Sequence, residues 1–479
     1  MNRFKITRIL YWGFVVVFFA LATAGYLVAG ESLDNSVYYA IQMFLMEYSE
    51  VENGNILINI GRFLCPIMTA TGIFALLRNF FRAVADGIVS RMKDATAVYY
   101  DTDEMCELGK GFKHPILMGK KVNKKAKAHV LMFDKDIDNL TFFGEMEKNL
   151  EEGSKVYIKL EEMESKLLKK SKVYYFNINE IIARRYWQER NLLEYLADGK
   201  MNMKIAIIGF DALGQNILDY GLMNNIYSLK QSIQYHVWGE SRLYRNMLGD
   251  FDKMNGDTIT YHDTDWREDV GELKGFDRII IAQETSIEMI QALLYLSCDA
   301  EIDFYNPSGA ELPAVYMGDK LTAFGVLENV LTEETIKTDK LYRSAKEINY
   351  NYEVTTDTTG TYTWTRPDVE EVMEEKWEEL SGFHKGSNVA CADYHNIRLL
   401  IMASLGMDKA KLTEEQEEML AEMEHVRWSR YHYVNHWHYS EKRDNSKRLH
   451  HLLVPYDKLP QVEKQKDKDA VKGLLKERG

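Results

Sequence analysis

Two apolar runs near the N-terminus constrain this chain more than any other feature. Residues 9 to 30 (ILYWGFVVVFFALATAGYLVAG) and 56 to 77 (ILINIGRFLCPIMTATGIFALL) are each 22 residues long. At a rise of about 1.5 Å per residue, either run crosses a hydrocarbon layer of about 30 Å as one helix. The first run is uncharged and exceeds the roughly 7 to 15 apolar residues of a cleaved leader, so a retained span is the preferred reading. The second holds Asn59 and Arg62, and Arg62 is near enough to the end of the span to snorkel to the interface. Arg3, Lys5 and Arg8 precede the first run, Arg78, Arg82, Arg91 and Lys93 follow the second, and residues 31 to 55 contain no Lys or Arg. That asymmetry predicts a multi-pass protein of the inner cell membrane with both termini in the cytoplasm.

Between the runs, residues 36 to 48 (SVYYAIQMFLMEY) are too short to cross but apolar enough to dip into the bilayer. As a re-entrant helix this segment makes Glu47, Tyr48 and Glu50 candidate pore residues; the alternative is an amphipathic helix lying on the outer surface. A TVGYG-like filter is missing and MEYSEV stands in its place, so potassium selectivity is not expected. Two helices cannot enclose a pore. A conducting form must therefore be a closed homo-oligomer, a tetramer or a dimer.

A chain of 479 residues exceeds one compact core, and a net charge of -14 excludes nucleic acid as the expected partner. The four cysteines, Cys65, Cys106, Cys298 and Cys391, form no CxxC pair and fit reduced thiols. Seven prolines and no Ser/Gly/Pro tract leave no room for a long linker.

From Ala95 onward, strand-like runs (ATAVYY, HPILM, AHVLMF, KVYIKL, KVYYF) are interspersed with helical patterns, which predicts a parallel sheet with crossover helices. Its first strand runs into Asp101-Thr102-Asp103, whose carboxylates repel phosphate. A second unit starts with KIAIIGFDALGQNIL and continues through SIQYHVW, RIIIAQ and EIDFYN. Here Gly209, Asp211 and Gly214 occupy the places of the GxGxxG dinucleotide loop, and Glu240 is a candidate ribose acceptor. Asp211 brings a negative charge to where the pyrophosphate lies, so ordinary NAD affinity is not expected, and the competing reading is that the glycines only allow tight strand-to-helix packing.

Residues 95 to about 338 resemble a tandem pair of TrkA-N or RCK-type Rossmann domains, which in bacteria follow two-helix, potassium-channel-like membrane subunits. RFLCPIMTATGIFALL, FNINEIIARRYW, KIAIIGFDALG and TAFGVLENVLTEE carry that likeness by their order. The C-terminal part resembles the RyR domain of ryanodine receptors. Its pattern is His425-x-Arg427-Trp428, then Trp437 and Tyr439, Asp444 and Lys447, a histidine at 450 or 451, Leu453 to Tyr456, Leu459, Glu463 and Lys464. GSNVACADYHNIRLL upstream resembles the helix that opens the bacterial version. His436 and Ser440 replace two turn glycines of the family.

Chemically, this last segment offers the cations Arg427, Lys447 and Arg448 beside Asp444 and His450, with the aromatics Trp437, Tyr439 and Tyr456. Flat rings and guanidinium groups suit a base-containing anion. Trp428 belongs to the same aromatic set, but the preferred reading places Trp428, Leu453 and Pro455 in the core. His432 and His436 sit i, i+4 but lack the company of a zinc site. TTDTTGTYTW, in the connector, reads as a turn or short hairpin.

The expected fold is multidomain: a membrane part (1–93) with two transmembrane helices and a candidate re-entrant helix, two Rossmann-like α/β domains (94–200 and 201–338), and a connector with a mainly helical RyR domain (339–479). No Cys/His pair, Ser/His/Asp order, metal signature or intact phosphate loop occurs, so no catalytic residue, metal ligand or enzyme activity is assigned. The expected function is a ligand-gated membrane effector, ion-channel-like, that senses a small nucleotide or dinucleotide-like ligand; the alternative is a non-conducting membrane-anchored receptor or scaffold. The topology is open to a direct test. With Asn35→Cys or Lys200→Cys in intact cells, an impermeant maleimide should modify only the first, and labelling of both or neither would remove the proposed orientation.

Overall fold

The structure, a computed structural model, describes residues 3–89, 92, 95–161, 173–248, 256–296, 299–309, 320–337 and 340–475. Of the features singled out above, Arg91, Lys93 and Cys298 lie outside them. The chain divides into two compact units, residues 1–91 and 92–479.

The first unit is three helices, α1 (Arg3–Val28), α2 (Leu33–Phe44) and α3 (Ile56–Val89). Two of them contain windows long and apolar enough to cross a membrane, Tyr11–Val28 and Ile56–Ala75, and only 17% of each window is buried. The apolar surface of Phe14, Val16, Val17, Phe63, Ile67 and Phe74 therefore faces outward, unlike that of a soluble core helix. Small residues let α1 and α3 touch. A Cβ on Gly25 would lie 2.8 Å from the Ile58 nitrogen, and one on Gly61 would lie 3.0 Å from the Ala22 Cβ. Polar side chains tie the ends: the Asn55 amide donates to the Gly25 carbonyl at 2.7 Å and the Tyr26 hydroxyl to the Ser49 carbonyl at 3.1 Å. Ser32 caps α2, whose buried face is Ser36, Ala40 and Met43. Arg62 places its guanidinium over the Tyr48 ring at 4.3 Å, a cation–π contact, while Glu47 and Glu50 are exposed. α3 has 34 residues, about 50 Å, and so outruns the apolar run that opens it.

Among its described residues the second unit holds two large, fully parallel sheets and a two-stranded one, His438–Tyr439 with Leu449–His450. β1 (Thr96–Tyr100), β2 (Pro115–Leu117), β3 (Ala128–Met132), β4 (Lys155–Lys159) and β5 (Val173–Phe176) pair in the order β2-β1-β3-β4-β5. β6 (Asn202–Ile208), β7 (Ser232–Trp238), β8 (Thr258–His262), β9 (Arg278–Ile281), β10 (Glu301–Tyr305) and β11 (Leu321–Phe324) pair in the order β11-β10-β9-β6-β7-β8. This is the doubly wound Rossmann order, and its crevice opens where the order reverses, between β6 and β9. β8 and β11 are strands that the apolar runs did not announce: β8 (TITYH) has no residue buried, and β11 is only four residues long. Of the two readings of TTDTTGTYTW, a turn or a short hairpin, the structure has the turn. Its first threonines end a helix, and the Asp357 carboxylate accepts from the Thr359 and Tyr362 nitrogens, both at 2.7 Å, winding the rest into a turn.

Helices join the two sheets to the C-terminal part: α4 (Ile178–Glu189), α5 (Ala212–Asn224), α6 (Lys340–Thr356), α7 (Val369–Glu378), α8 (Gly382–Ser404), α9 (Glu414–Val434) and α10 (Gln461–Leu475). One hydrophobic core runs through all of this, from Val130 and Tyr157 through Trp187 and Ile217 to Tyr394, Val426 and Tyr431. Buried charges cross the same seams. Arg184 on α4 forks onto Asp393 on α8 at 2.6 and 3.0 Å, and the Arg398 and Arg427 guanidinium groups share Glu424. Arg430 on α9 donates to Asp257 and to the Leu222 carbonyl, both at 2.7 Å, with Arg430 and Asp257 fully buried. Removing one partner of such a pair strands the other charge. Arg430→Ala should therefore destabilise the protein by about 3 to 5 kcal/mol; a denaturant midpoint that barely moves would show that the seam is not held by this pair.

Candidate functional site

α9 presents two chemically different faces because helical residues about three or seven apart share a side. Glu424, Arg427 and Arg430 turn toward the core, whereas His425, Trp428, His432 and Asn435 line a cavity of about 660 Å³. The opposite wall comes from Phe383 and His384 at the start of α8, from Trp437, Arg443, Arg448 and His450 in the turn after α9, and from Glu463, Lys466 and Asp467 on α10. Its rings interlock: Trp428 lies 4.0 Å from His432 and 5.0 Å from His450, and Phe383 lies 5.2 Å from Trp437 between ring centroids.

Hydrogen bonds set the tautomers of three of these histidines, since a carbonyl can only accept. His425 donates from Nε2 to the Val454 carbonyl and His432 from Nδ1 to the Trp428 carbonyl, each at 2.8 Å, while His450 Nδ1 accepts from the Leu452 nitrogen at 3.1 Å. Burial pushes the His432 pKa down to about 3, and burial with the nearby Arg443 charge pushes His450 down to about 4. Both imidazoles are neutral at pH 7. Burial moves the Asp467 carboxyl the other way, up to about 8. Arg443 donates to Asn445 Oδ1 at 2.8 Å and Arg448 to the Asn435 carbonyl at 3.0 Å. These acceptors are neutral, so among the described residues no carboxylate compensates either guanidinium.

The expected contacts divide accordingly. Trp437, Arg448 and His450 line the cavity. Arg427 does not, because it sits one position from Trp428 and is therefore turned about 100° around the helix, onto Glu424. Asp444 and Lys447 build the turn: the Asp444 carboxylate accepts from the Ser446 nitrogen at 3.0 Å and lies 3.5 Å from the exposed Lys447 ammonium. Tyr439 is exposed away from the cavity, and Tyr456 is buried with the Lys464 ammonium 4.8 Å over its ring. Two core assignments also change. Trp428 is a half-buried cavity wall and Pro455 is exposed, while Leu453 is buried. His436 takes the left-handed backbone, φ 66°, that a glycine would adopt without strain. Phe383, Arg443, Lys466 and Asp467 went unnoticed in the sequence; the His425, Trp428, His432 spacing was the signal that could have located their cavity.

The Rossmann crevice is differently charged. Gly209 has φ 92° and is packed against Gln283, whose Oε1 would lie 2.9 Å from a Cβ there. A Cβ on Gly214 would lie 2.1 Å from the Gly209 carbonyl oxygen, so both glycines serve close packing. Asp211 is exposed at the start of α5, and Glu240 pairs with Arg242 at 2.8 Å. Tyr305 is raised to about 12 by burial and then by the carboxylates of Glu161, Glu104, Asp211 and Glu284, each of which follows the C-terminal end of a strand.

Residues 405–477 match the RyR domain family. No curated protein matches the chain. Among solved structures, the chain is similar to GsuK bound to ADP, at 14% identity over 70% of this chain and 99% of that one, with a TM-score of 0.34. It is also similar to two D-isomer specific 2-hydroxyacid dehydrogenases. The one from Xanthobacter autotrophicus Py2 matches at 11% identity over 51% and 93% of the two chains, TM-score 0.21. The one from Lactobacillus delbrueckii ssp. bulgaricus, in its NAD complexed form, matches at 9% identity over 66% and 98%, TM-score 0.22.

Because the unfolded chain protonates a histidine near pH 6.5 and the folded His432 and His450 accept a proton only near 3 and 4, their contribution to stability is present above about 6.5 and is lost as pH falls toward those values. The loss approaches about 1.4 kcal/mol per pH unit for each histidine. Asp467, raised to about 8, contributes with the opposite sign over the same range, so the histidine part is read as a difference between variants. Between pH 7 and 4, tryptophan-detected stability should fall less, or rise more, in His450→Gln than in the parent; an unchanged slope in that variant would contradict the buried, neutral imidazole.

Proposed function

We propose that this chain is a ligand-gated membrane effector whose C-terminal cavity senses an anionic, base-containing small molecule of the nucleotide class. One observation carries the reading: Arg443 and Arg448, two guanidinium groups without carboxylate partners among the described residues, stand in a cavity walled by Trp428, Trp437, Phe383 and neutral histidines. Aromatic faces stack a base, and a guanidinium fork pairs with phosphate or carboxylate. The anionic end lies by Arg443 and Arg448, and the flat end lies between the rings.

Occupancy is communicated through α9, whose opposite face carries the buried ion pairs to the α/β sheets. The spans α1 and α3 anchor the assembly in a membrane, and a homo-oligomer supplies the pore, since one chain has too few spans to close one. The Rossmann pair then acts as a rigid coupling body rather than as the primary sensor.

Purified full-length protein in detergent should gain thermal stability with the right nucleotide, by about 2.7 kcal/mol at 100 times its dissociation constant. Arg443→Ala should weaken binding by about 1.5 to 3 kcal/mol, while Lys447→Ala, outside the cavity, should leave it unchanged. The reverse ranking of these two variants, or a nucleotide panel with no shift, would overturn the sensor. In proteoliposomes, ligand-dependent ion flux that Glu47→Ala or Tyr48→Ala abolishes would support the pore; binding without flux would leave a non-conducting receptor.

A further inference from the structure

A second group of side chains with ligand chemistry lies outside the cavity, on the β8 edge of the six-stranded sheet. The register pairs His236 with Thr260 and Trp238 with His262, so His236 and His262 are diagonal neighbours on one face of the sheet. His236 Nδ1 and His262 Nε2 are 2.9 Å apart. Glu272, from the helical turn Val270–Leu273, brings Oε2 to 4.0 Å from His262 Nε2, and the three donor atoms all lie within 4.8 Å of one another. Behind them, Asp269 Oδ2 is 3.6 Å from His262 Nδ1, the other ring nitrogen. Asp269 is itself held by the Trp238 indole N–H at 3.0 Å and by the Thr264 hydroxyl. Trp238 stacks on His262 with centroids 4.0 Å apart, and Phe276 meets His236 edge-on at 4.8 Å, so both imidazoles are held by packing.

We propose that His236, His262 and Glu272 form a binding site for a first-row divalent transition ion of the zinc class, with Asp269 orienting His262. Zinc takes imidazole nitrogens at about 2.0 to 2.1 Å in a tetrahedron, which sets two such nitrogens about 3.3 Å apart. The pair needs to open by only about 0.4 Å to admit the ion. Glu272 is exposed and can swing in as the third ligand, leaving a fourth position for water. Asp269 is placed as the carboxylate that a ligating histidine leans on through its other nitrogen. Bound there, the ion would clip the edge strand β8 and the segment that follows it to β7.

The test uses tag-free, full-length protein in detergent, stripped of metal with a chelator. Co²⁺ should give a saturable visible d–d band at one ion per chain, displaced by Zn²⁺. His236→Gln and His262→Gln should abolish the band, Glu272→Gln should weaken binding at least about tenfold, and Asp269→Asn should weaken it about 10- to 100-fold. Because Glu272 is on the surface, its variant keeps the test open if a histidine variant fails to fold. His450→Gln with His451→Gln should retain the band. No saturable band, or a band that survives in the His236→Gln/His262→Gln double variant, would overturn the site.

Discussion

Arginines that have left water dictate how the second unit is put together. Arg184, Arg278, Arg398 and Arg430 are among its largest fully buried side chains. Each would cost several kcal/mol to desolvate alone, so each must meet a carboxylate or carbonyl in one geometry. The partners come from other elements: Asp393 for Arg184, Glu301 for Arg278 at 2.7 Å, Glu424 for Arg398, and Asp257 with the Leu222 carbonyl for Arg430. Burial alone would raise the Glu424 pKa, and Arg427 and Arg398 together outweigh that and hold it below its usual value. A helix docked one turn out of place would leave a charge alone in the core. The ion pairs thus select one register among apolar packings that would otherwise be close in energy.

α4 is the meeting point of this network. Arg184 reaches α8, the Tyr186 hydroxyl donates to Asp303 on β10 at 2.6 Å, and the Trp187 indole donates to the Ile217 carbonyl at 2.7 Å. Gly221 on α5 has no side chain because a Cβ there would lie 2.9 Å from the Trp187 ring. A helix that opens at the end of the first sheet therefore ties both sheets to the C-terminal helices. α9 then relates the cavity to that body. Turning it to rearrange His425, Trp428 and His432 would pull Glu424 from Arg398 and Arg430 from Asp257, so cavity and core respond together or not at all.

Much of the architecture was legible because buried parallel strands are written as continuous apolar runs: VLM in β3, IAII in β6 and III in β9 are all buried. β8 was not, since its edge position leaves Thr258 exposed and no side chain fully covered. The expectation of separate domains after residue 94 met a shared core for a similar reason. Pairs such as Arg184 with Asp393, or Arg430 with Asp257, are about 200 residues apart in sequence, and nothing local marks their ends. The RyR-type motif located the region of the cavity but not the roles within it. Arg427 and Trp428 are adjacent in the motif, yet a helix turns adjacent residues by about 100°, sending one to the core and the other to the cavity. Likewise His236 and His262, on neighbouring strands, come together only through the register of β7 and β8.

The sign of the local field separates the two places where a nucleotide-like ligand could bind. The chain carries a net charge of -14, so an anion must find a region where that excess is locally reversed. At the Rossmann crevice it is reinforced: Glu104, Glu161, Asp211 and Glu284 converge on Tyr305, and Gln283 fills the space over Gly209. In the C-terminal cavity, Lys466 offsets Glu463 at 2.8 Å, burial favours the neutral form of Asp467, and Arg443 and Arg448 keep their charge uncompensated. A low-dielectric wall of tryptophan, phenylalanine and neutral histidine strengthens the attraction of those guanidinium groups for a phosphate that enters. Protonating the histidines would add positive charge but at a cost in stability, which is why neutral rings beside two fixed cations suit stacking and anion pairing at once.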